Sequence, residues 1–312
     1  MFEAEDTPQV PYTETLLSLP EGRTLAYDTA GDSNSLTLVL FFHGVFGVGN
    51  ASYLSKTLQA KGVHYVTPTL PGWGSSSARP SGVSFVDSLT ADITALIHHL
   101  YPNTSSHNQL DIYIGGGSYG SVSAQIIYGQ PFDKFPLGFN KGLSWMNYIM
   151  VGTPAQVIPG QLVPYLVSTA MKPRFATPEK AIQAIREISF DKMDEEEKEV
   201  LAKYEKEKGT EGGFEAKTGL NAWRSVHKGW AGFTEVSDVI WSDWGFIPKE
   251  IDAEGLERHV LVVASQGDGL APNEQAVWIS QNYGNAELMM VEGGHLSAVY
   301  YLDDIWAKFI DT

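Results

Sequence analysis

The sequence predicts an α/β fold: a mostly parallel sheet with helices on both faces and a helical segment inserted late in its course. Three observations carry this. Short apolar runs rich in Val, Ile, Leu and Tyr alternate along the chain with stretches of helical spacing. No two-residue hairpin turn joins the runs in the middle of the chain, which argues for a mostly parallel sheet. The alternation is interrupted once, between residue 153 and about 238, by charged and tryptophan-rich helical sequence, and then resumes.

Residues 13–20 (TETLLSLP) and 24–31 (TLAYDTAG) read as two early strands with Pro and Gly stops. The continuous apolar run at 36–44 (LTLVLFFHG) fits a strand covered on both faces. A helix is expected over ASYLSKTLQAKG, with Leu54 and Leu58 on one face and Gly62 as its stop. Residues 63–74 read as strand then loop. The next helix is capped by Ser84, carries apolar residues at 85, 86, 89, 93, 96, 97 and 100, and stops at Pro102. A strand at 110–117, a helix over SVSAQIIYGQ and a strand at 144–152 follow.

In the interrupting segment, Thr177-Pro178 places a cap and a first-turn proline at a helix start. The charge-dense stretch beyond it has only Met193, Val200, Leu201 and Tyr204 as an apolar stripe, as expected of a solvated helix laid on the surface. The sheet then resumes with a strand at 259–268, a helix over NEQAVWISQNYG, a strand over AELMMVEGG and a last helix over YYLDDIWAKFID. The expected organisation is a core from 1–152, a helical insertion from 153–238 and the rest of the core from 239–312.

Composition removes several functional classes. The 37 acidic residues outnumber 21 Lys and Arg, giving a formal net charge of -16 that repels a phosphate backbone and argues against nucleic acid as partner. With no cysteine there is no disulfide, no thiolate zinc site and no Cys nucleophile, which fits a reducing compartment. The start MFEAEDTPQV is acidic where a secretory signal is basic, and the longest apolar run, LTLVLFFHGVFGVG, is too broken to span a bilayer. The expectation is a soluble, cytoplasmic protein acting on a small molecule, without metal or organic cofactor and of open oligomeric state. Asn50 and Asn103 begin glycosylation-type triplets, read as coincidence in a chain without an export signal.

The chemistry concentrates at residues 114–121, IGGGSYGS. Gly116-Gly117-Ser118-Tyr119-Gly120 fits G-x-S-x-G, a turn in which a strand passes into a helix at a strained serine while small residues two before and two after let the elements touch. Among 31 glycines the pattern alone is weak; its place at the end of an apolar strand strengthens it. A serine hydroxyl needs a base to take its proton and a carboxylate to orient that base. Asp268 follows the strand HVLVVAS and His295 follows AELMMV, both in loops at C-terminal strand ends where parallel sheets bind ligands. Glu292, three residues from His295, is a poorer orienter. Two amides are needed for the oxyanion: Tyr119, directly after the serine, and Val45 in HGVFG, with His43 holding that loop by hydrogen bonds. Gly44 and Gly47 permit close backbone approach.

Together HGVFG, LPGWGSS, GGGSYG, GDGLAP and EGGHLS, in this order, make the chain similar to an α/β-hydrolase, with the family's variable cap inserted between two parts of the core. The stretch SDWGFIPKEI resembles the passage from cap to core in family esterases and peptidases. The resemblance implies a serine hydrolase of esterase or lactonase type, with Ser118 as nucleophile, His295 as base, Asp268 as its orienter, and Val45 and Tyr119 as the oxyanion hole. Phe46, Trp223 and Trp230 would line an apolar pocket for an uncharged substrate. Serine at 118 disfavours the family's dehalogenases and epoxide hydrolases, which carry aspartate. The loop His43-Gly44-Val45-Phe46-Gly47 departs from the HGGPG of prolyl iminopeptidases, which GGSYG otherwise resembles. An acyltransferase, a C–C bond hydrolase, an iminopeptidase-like enzyme and a ligand receptor with vestigial catalysis remain as alternatives.

Overall fold

Alternation of large apolar side chains across a pleated strand sends them to opposite faces, and β-branched residues favour that conformation. The computed structural model describes residues 14–102, 110–130, 141–145, 162–210, 212–251 and 256–310. In chain order its elements are β1 (Thr15–Ser18), β2 (Thr24–Gly31), β3 (Thr37–Phe42), α1 (Lys56–Ala60), β4 (His64–Pro68), α2 (Phe85–Leu100), β5 (Asp111–Gly116), α3 (Gly120–Tyr128) and β6 (Lys141–Trp145). Helices α4 (Leu162–Met171), α5 (Pro178–Ile188), α6 (Glu195–Lys208), α7 (Gly213–Val226) and α8 (Ala231–Trp241) come next. They are followed by β7 (His259–Ser265), α9 (Asn273–Asn282), β8 (Asn285–Val291) and α10 (Leu302–Ile310).

The eight strands form one sheet in the order β1-β2-β4-β3-β5-β6-β7-β8. The pairings β1–β2 and β2–β4 are antiparallel and the rest are parallel. Along β3, Leu38, Leu40 and Phe42 enter one core with α2 and α3, while Val39 enters a second core with Leu58, Trp306 and Phe309. That two-sided burial is why the run is apolar without a break. Strand order reverses about β3, whose neighbours are β4 on one side and β5 on the other. At such a switch point the loops leaving the two strands diverge and open a crevice at their C-terminal ends. Phe42 pairs with Gly116 there, which brings the loop after β3 beside the turn after β5.

Helices α4 to α8 lie between β6 and β7 in the chain and share the first core through Ile185, Phe214 and Val226, joined by Phe175 of the 3₁₀ turn Lys172–Phe175. Two backbone bonds sew them to the loop after β4: Gly232 N–H donates to Gly72 O at 2.9 Å, and Gly74 N–H to Ser225 O at 2.8 Å. Thr177 caps α5 as its sequence position suggests, accepting from the Lys180 amide. Helix α6 has no buried residue and is held at its start by a capping box between Asp194 and Glu197.

Three elements differ from the sequence expectation. The helix over 51–62 is two pieces, a 3₁₀ turn Ala51–Tyr53 and α1, because Asn50 and then Ser55 each accept from a following amide and restart the chain. Asn50 is itself buried and hydrogen-bonded to Asn221. Strand β6 (Lys141–Trp145) begins three residues before the expected 144–152 and overlaps it at 144–145; residues 146–152 lie outside the described residues, as does Asn103. The last helix begins as a 3₁₀ turn, Ser297–Tyr301. Among the described residues, no helix is long and apolar enough to cross a membrane.

Candidate active site

The turn after β5 is built by close backbone contact. Ser118 has φ 52°, a left-handed conformation that costs a non-glycine residue roughly 1–3 kcal/mol. Hydrogen bonds hold it there: Gly117 N–H donates to Phe42 O at 3.1 Å, Gly120 N–H to Gly117 O at 2.9 Å, and the Ser121 hydroxyl to Ser118 O at 2.6 Å. A Cβ on Gly116 would be driven into the Gly120 carbonyl, and one on Gly120 into the carbonyls of Phe42 and His43. Both partners are backbone and have nowhere to go. Gly120→Ala is therefore expected to lose about 3 kcal/mol or more of stability, read as a lowered Tm, with folding lost outright as the extreme. Gly117 is different: a Cβ there meets only the Phe41 ring at 3.6 Å, an ordinary contact.

Three side chains from three strand ends form one hydrogen-bonded row. Ser118 Oγ lies 3.1 Å from His295 Nε2, and His295 Nδ1 lies 2.9 Å from Asp268 Oδ2. Asp268 is almost wholly buried, its side chain 1% exposed, so it stays ionised only where donors compensate. Burial alone would raise its pKa. The hydrogen bond and charge of His295, with the amides of Ala271 and Leu270 on Oδ1, outweigh burial and hold the carboxyl below its ordinary value. An ionised acceptor at Nδ1 puts the imidazole proton on that nitrogen and leaves Nε2 free to accept from the serine hydroxyl. The acid and histidine loops are tied together by Gln266 N–H to Val291 O and Gly267 N–H to Gly293 O, both 2.9 Å. Glu292 is exposed and takes no part in the row.

The loop after β3 runs directly alongside. A Cβ on Gly44 would lie 3.1 Å from Ser118 Cβ and 3.2 Å from Gly117 O, so only glycine lets this backbone lie against the serine without displacing it. Val45 is partly buried, and its amide has no hydrogen-bond acceptor among the described residues. Tyr119 is buried at the start of α3. Phe46 carries a left-handed φ of 58° and projects into an aromatic cluster, stacked on Phe175 at 4.9 Å and Phe233 at 5.1 Å, edge-on to Trp230 and Trp73. Trp223 stacks instead on His227 at 4.6 Å and makes none of the ring contacts about Phe46 among the described residues.

The model of the alpha/beta hydrolase family matches residues 39–308. The chain belongs to the alpha/beta hydrolase family. No curated protein sequence matches it. Among solved structures this hydrolase is similar to an esterase from Exiguobacterium antarcticum, with 16% identity, TM-score 0.65, and coverage of 96% of this chain and 100% of the other. The enol-lactonase from Burkholderia xenovorans LB400 is similar at 15% identity, TM-score 0.61 and coverage of 96% and 100%. A hydrolase from Pseudomonas aeruginosa PA01 gives 15%, 0.63, 96% and 98%. At these identities the likeness is one of fold.

His43 of this hydrolase serves the loop. Its Nε2 accepts from the Leu70 amide at 3.0 Å, so Nδ1 holds the proton and donates to Gly44 O at 2.8 Å. Both nitrogens are used, and burial pushes its pKa down to about 4. A base with a depressed folded value binds fewer protons in the native than in the unfolded state between about pH 4 and 6.5. Its contribution is thus whole above pH 6.5 and is lost as pH falls toward 4, about 3 kcal/mol over that window. Urea unfolding of native and His43→Gln hydrolase across this range should show a shallower acid slope in the variant.

Phe175 and the approach of Glu197 are the site-proximal features that sequence reasoning misses. Glu197 of α6 places its carboxylate against Gly294, where a side chain would collide with it, directly before His295. The one available signal was indirect: Phe175 is a lone aromatic in an otherwise polar stretch, KPRFATPEK.

Proposed function

We propose that this alpha/beta hydrolase is a serine hydrolase that cleaves an ester or lactone of a small, largely apolar substrate through an acyl-enzyme. The observation that carries the reading is the row Ser118 Oγ–His295 Nε2, His295 Nδ1–Asp268 Oδ2, at 3.1 and 2.9 Å. Ser118 Oγ attacks the carbonyl carbon as His295 takes its proton. The tetrahedral oxyanion is met by the amides of Val45 and Tyr119, worth about 3 kcal/mol of barrier each. Collapse expels the alcohol oxygen, which takes the proton from Nε2; in a lactone it stays tethered to the acyl group. Water then repeats the sequence and releases a carboxylic acid. Asp268 keeps the imidazole in the required tautomer and balances its transient charge.

Phe46 follows the Val45 amide and packs among Phe175, Phe233 and Trp230. An aromatic wall beside the oxyanion site favours an uncharged, apolar acyl group. In this reading residues 153–238 are the cap over a core made of 1–152 and 239–312. The named activities of the esterase and enol-lactonase of similar fold agree with it.

The test is a substrate panel on the purified chain: aryl esters of increasing acyl length, a charged hemisuccinate ester, simple lactones and a β-diketone, with and without an acceptor alcohol. Stoichiometric release of carboxylate from short neutral esters or lactones, with the hemisuccinate slower, is expected. Turnover of the diketone alone would make it a C–C hydrolase, transfer to the alcohol an acyltransferase, and no turnover by folded protein a receptor.

A further inference from the structure

A cavity of about 710 Å³ opens between helices α6–α7 and the core segments 52–55 and 299–303, and none of Ser118, Asp268 or His295 lines it. Its volume falls within the range of roughly 300–1,000 Å³ usual for small-molecule sites. Tyr53, Leu54, Tyr204, Phe214 and Val299 contribute aromatic and aliphatic wall. Tyr204 and Phe214 pack edge-on at 5.7 Å, and Tyr300 packs on both, so this wall is ordered by its own ring contacts.

The charges in this cavity do not balance. Three charged side chains line it: Lys208, Lys217 and Asp303. Lys208 and Asp303 pair at 3.3 Å. Lys217 has no carboxylate within 4 Å among the described residues; its ammonium stands 3.4 Å from the Tyr53 ring centroid and reaches only Ser52 O, at 3.5 Å. An ammonium offers three donors, and a half-buried one without a counter-ion is costly. Burial, aided by the charge of Lys208, pushes Lys217 down to about 8, so it still carries its proton at neutral pH. This is a local net charge of one positive unit in a chain whose formal charge is -16.

We propose that the cavity is a second ligand site, for a small monocarboxylate with an aromatic or apolar body, its carboxylate on Lys217 and its body against Tyr53 and Phe214. A single negative charge matches the unpaired ammonium, whereas a dianion would also face Asp303. The ring of Tyr53 under the ammonium holds the cation in place by attraction to its π face. The site neither uses Ser118 nor needs the proposed hydrolysis.

Fluorine NMR with 4-fluorophenylacetate as probe tests this on the 312-residue chain. Saturable binding is expected, equal within about twofold in native protein and Ser118→Ala, since the triad pocket plays no part. Loss of a charge-assisted hydrogen bond predicts weakening of at least about tenfold in Lys217→Met, and the same loss on native protein when 4-fluorophenylacetamide replaces the acid. The amide comparison stands even if Lys217→Met fails to fold, and Lys217→Gln supplies a second variant. No binding to native protein up to the solubility of the probe, equal binding of acid and amide, or unchanged affinity in a folded Lys217 variant would each overturn the proposal.

Discussion

Ser118→Ala is expected to leave the chain folded and to lower kcat/KM for a neutral aryl ester by about 10⁶-fold, since loss of the nucleophile alone removes most of what such a row of residues supplies. The structural cost is small. Ser118 Oγ makes its contact with His295, while the bonds that close the turn run through the backbone of residues 117 to 121 and the Ser121 hydroxyl. Alanine retains a Cβ and the same left-handed φ preference problem, so the turn loses neither space nor bonds. A circular dichroism melt within a few degrees of native, together with the kinetic loss, distinguishes lost chemistry from lost fold. Residual turnover near 10³-fold above water is compatible with the oxyanion amides acting alone.

Asp268→Asn is expected to lower kcat by about 10⁴-fold with little change in KM. The amide is nearly isosteric, but it presents a donor where His295 Nδ1 now finds an acceptor at 2.9 Å. The imidazole proton then moves to Nε2, and that nitrogen no longer accepts from Ser118. Stability should change in a pH-dependent way. With its pKa held below the ordinary value, Asp268 contributes stability that is present above about pH 4 and is lost as pH falls through its lower folded value. Denaturant titrations at pH 7 and pH 3 should therefore show a larger native–variant gap at pH 7. A gap that widened toward pH 3 would mean the carboxyl is held protonated rather than ionised.

Much of this was legible in the sequence because it depends on local backbone rules. The turn at Ser118 requires small residues at 116 and 120, and in the structure Gly116 faces the carbonyl of Gly120 while Gly120 faces those of Phe42 and His43 at the end of β3. Strand β3 announced its two-sided burial through an unbroken apolar run. Thr177-Pro178 and Ser84 marked helix starts through capping chemistry that needs no tertiary context. What stayed hidden depends on contacts between distant segments. Phe46 offers no hint that Phe175, 129 positions away, will stack on it. Lys217 reads as one more charge on a surface helix until Tyr53 is placed beneath it. The start of β6 at Lys141 is not marked in the sequence, because KGLSW is less apolar than the SWMNYIMVG that overlaps its end. Trp223 and Trp230 look equivalent in sequence; the end of α7 turns one onto His227 and the start of α8 sets the other beside Phe46.

The nucleophilic role of Ser118 is tested most directly by reacting the native chain with an alkyl fluorophosphonate and mapping the adduct by intact and peptide mass spectrometry. One phosphonyl group per chain on Ser118 is the expected result, with no adduct in Ser118→Ala and slowed labelling in Asp268→Asn. Native protein that stays unlabelled, or an adduct that persists in Ser118→Ala, would contradict it.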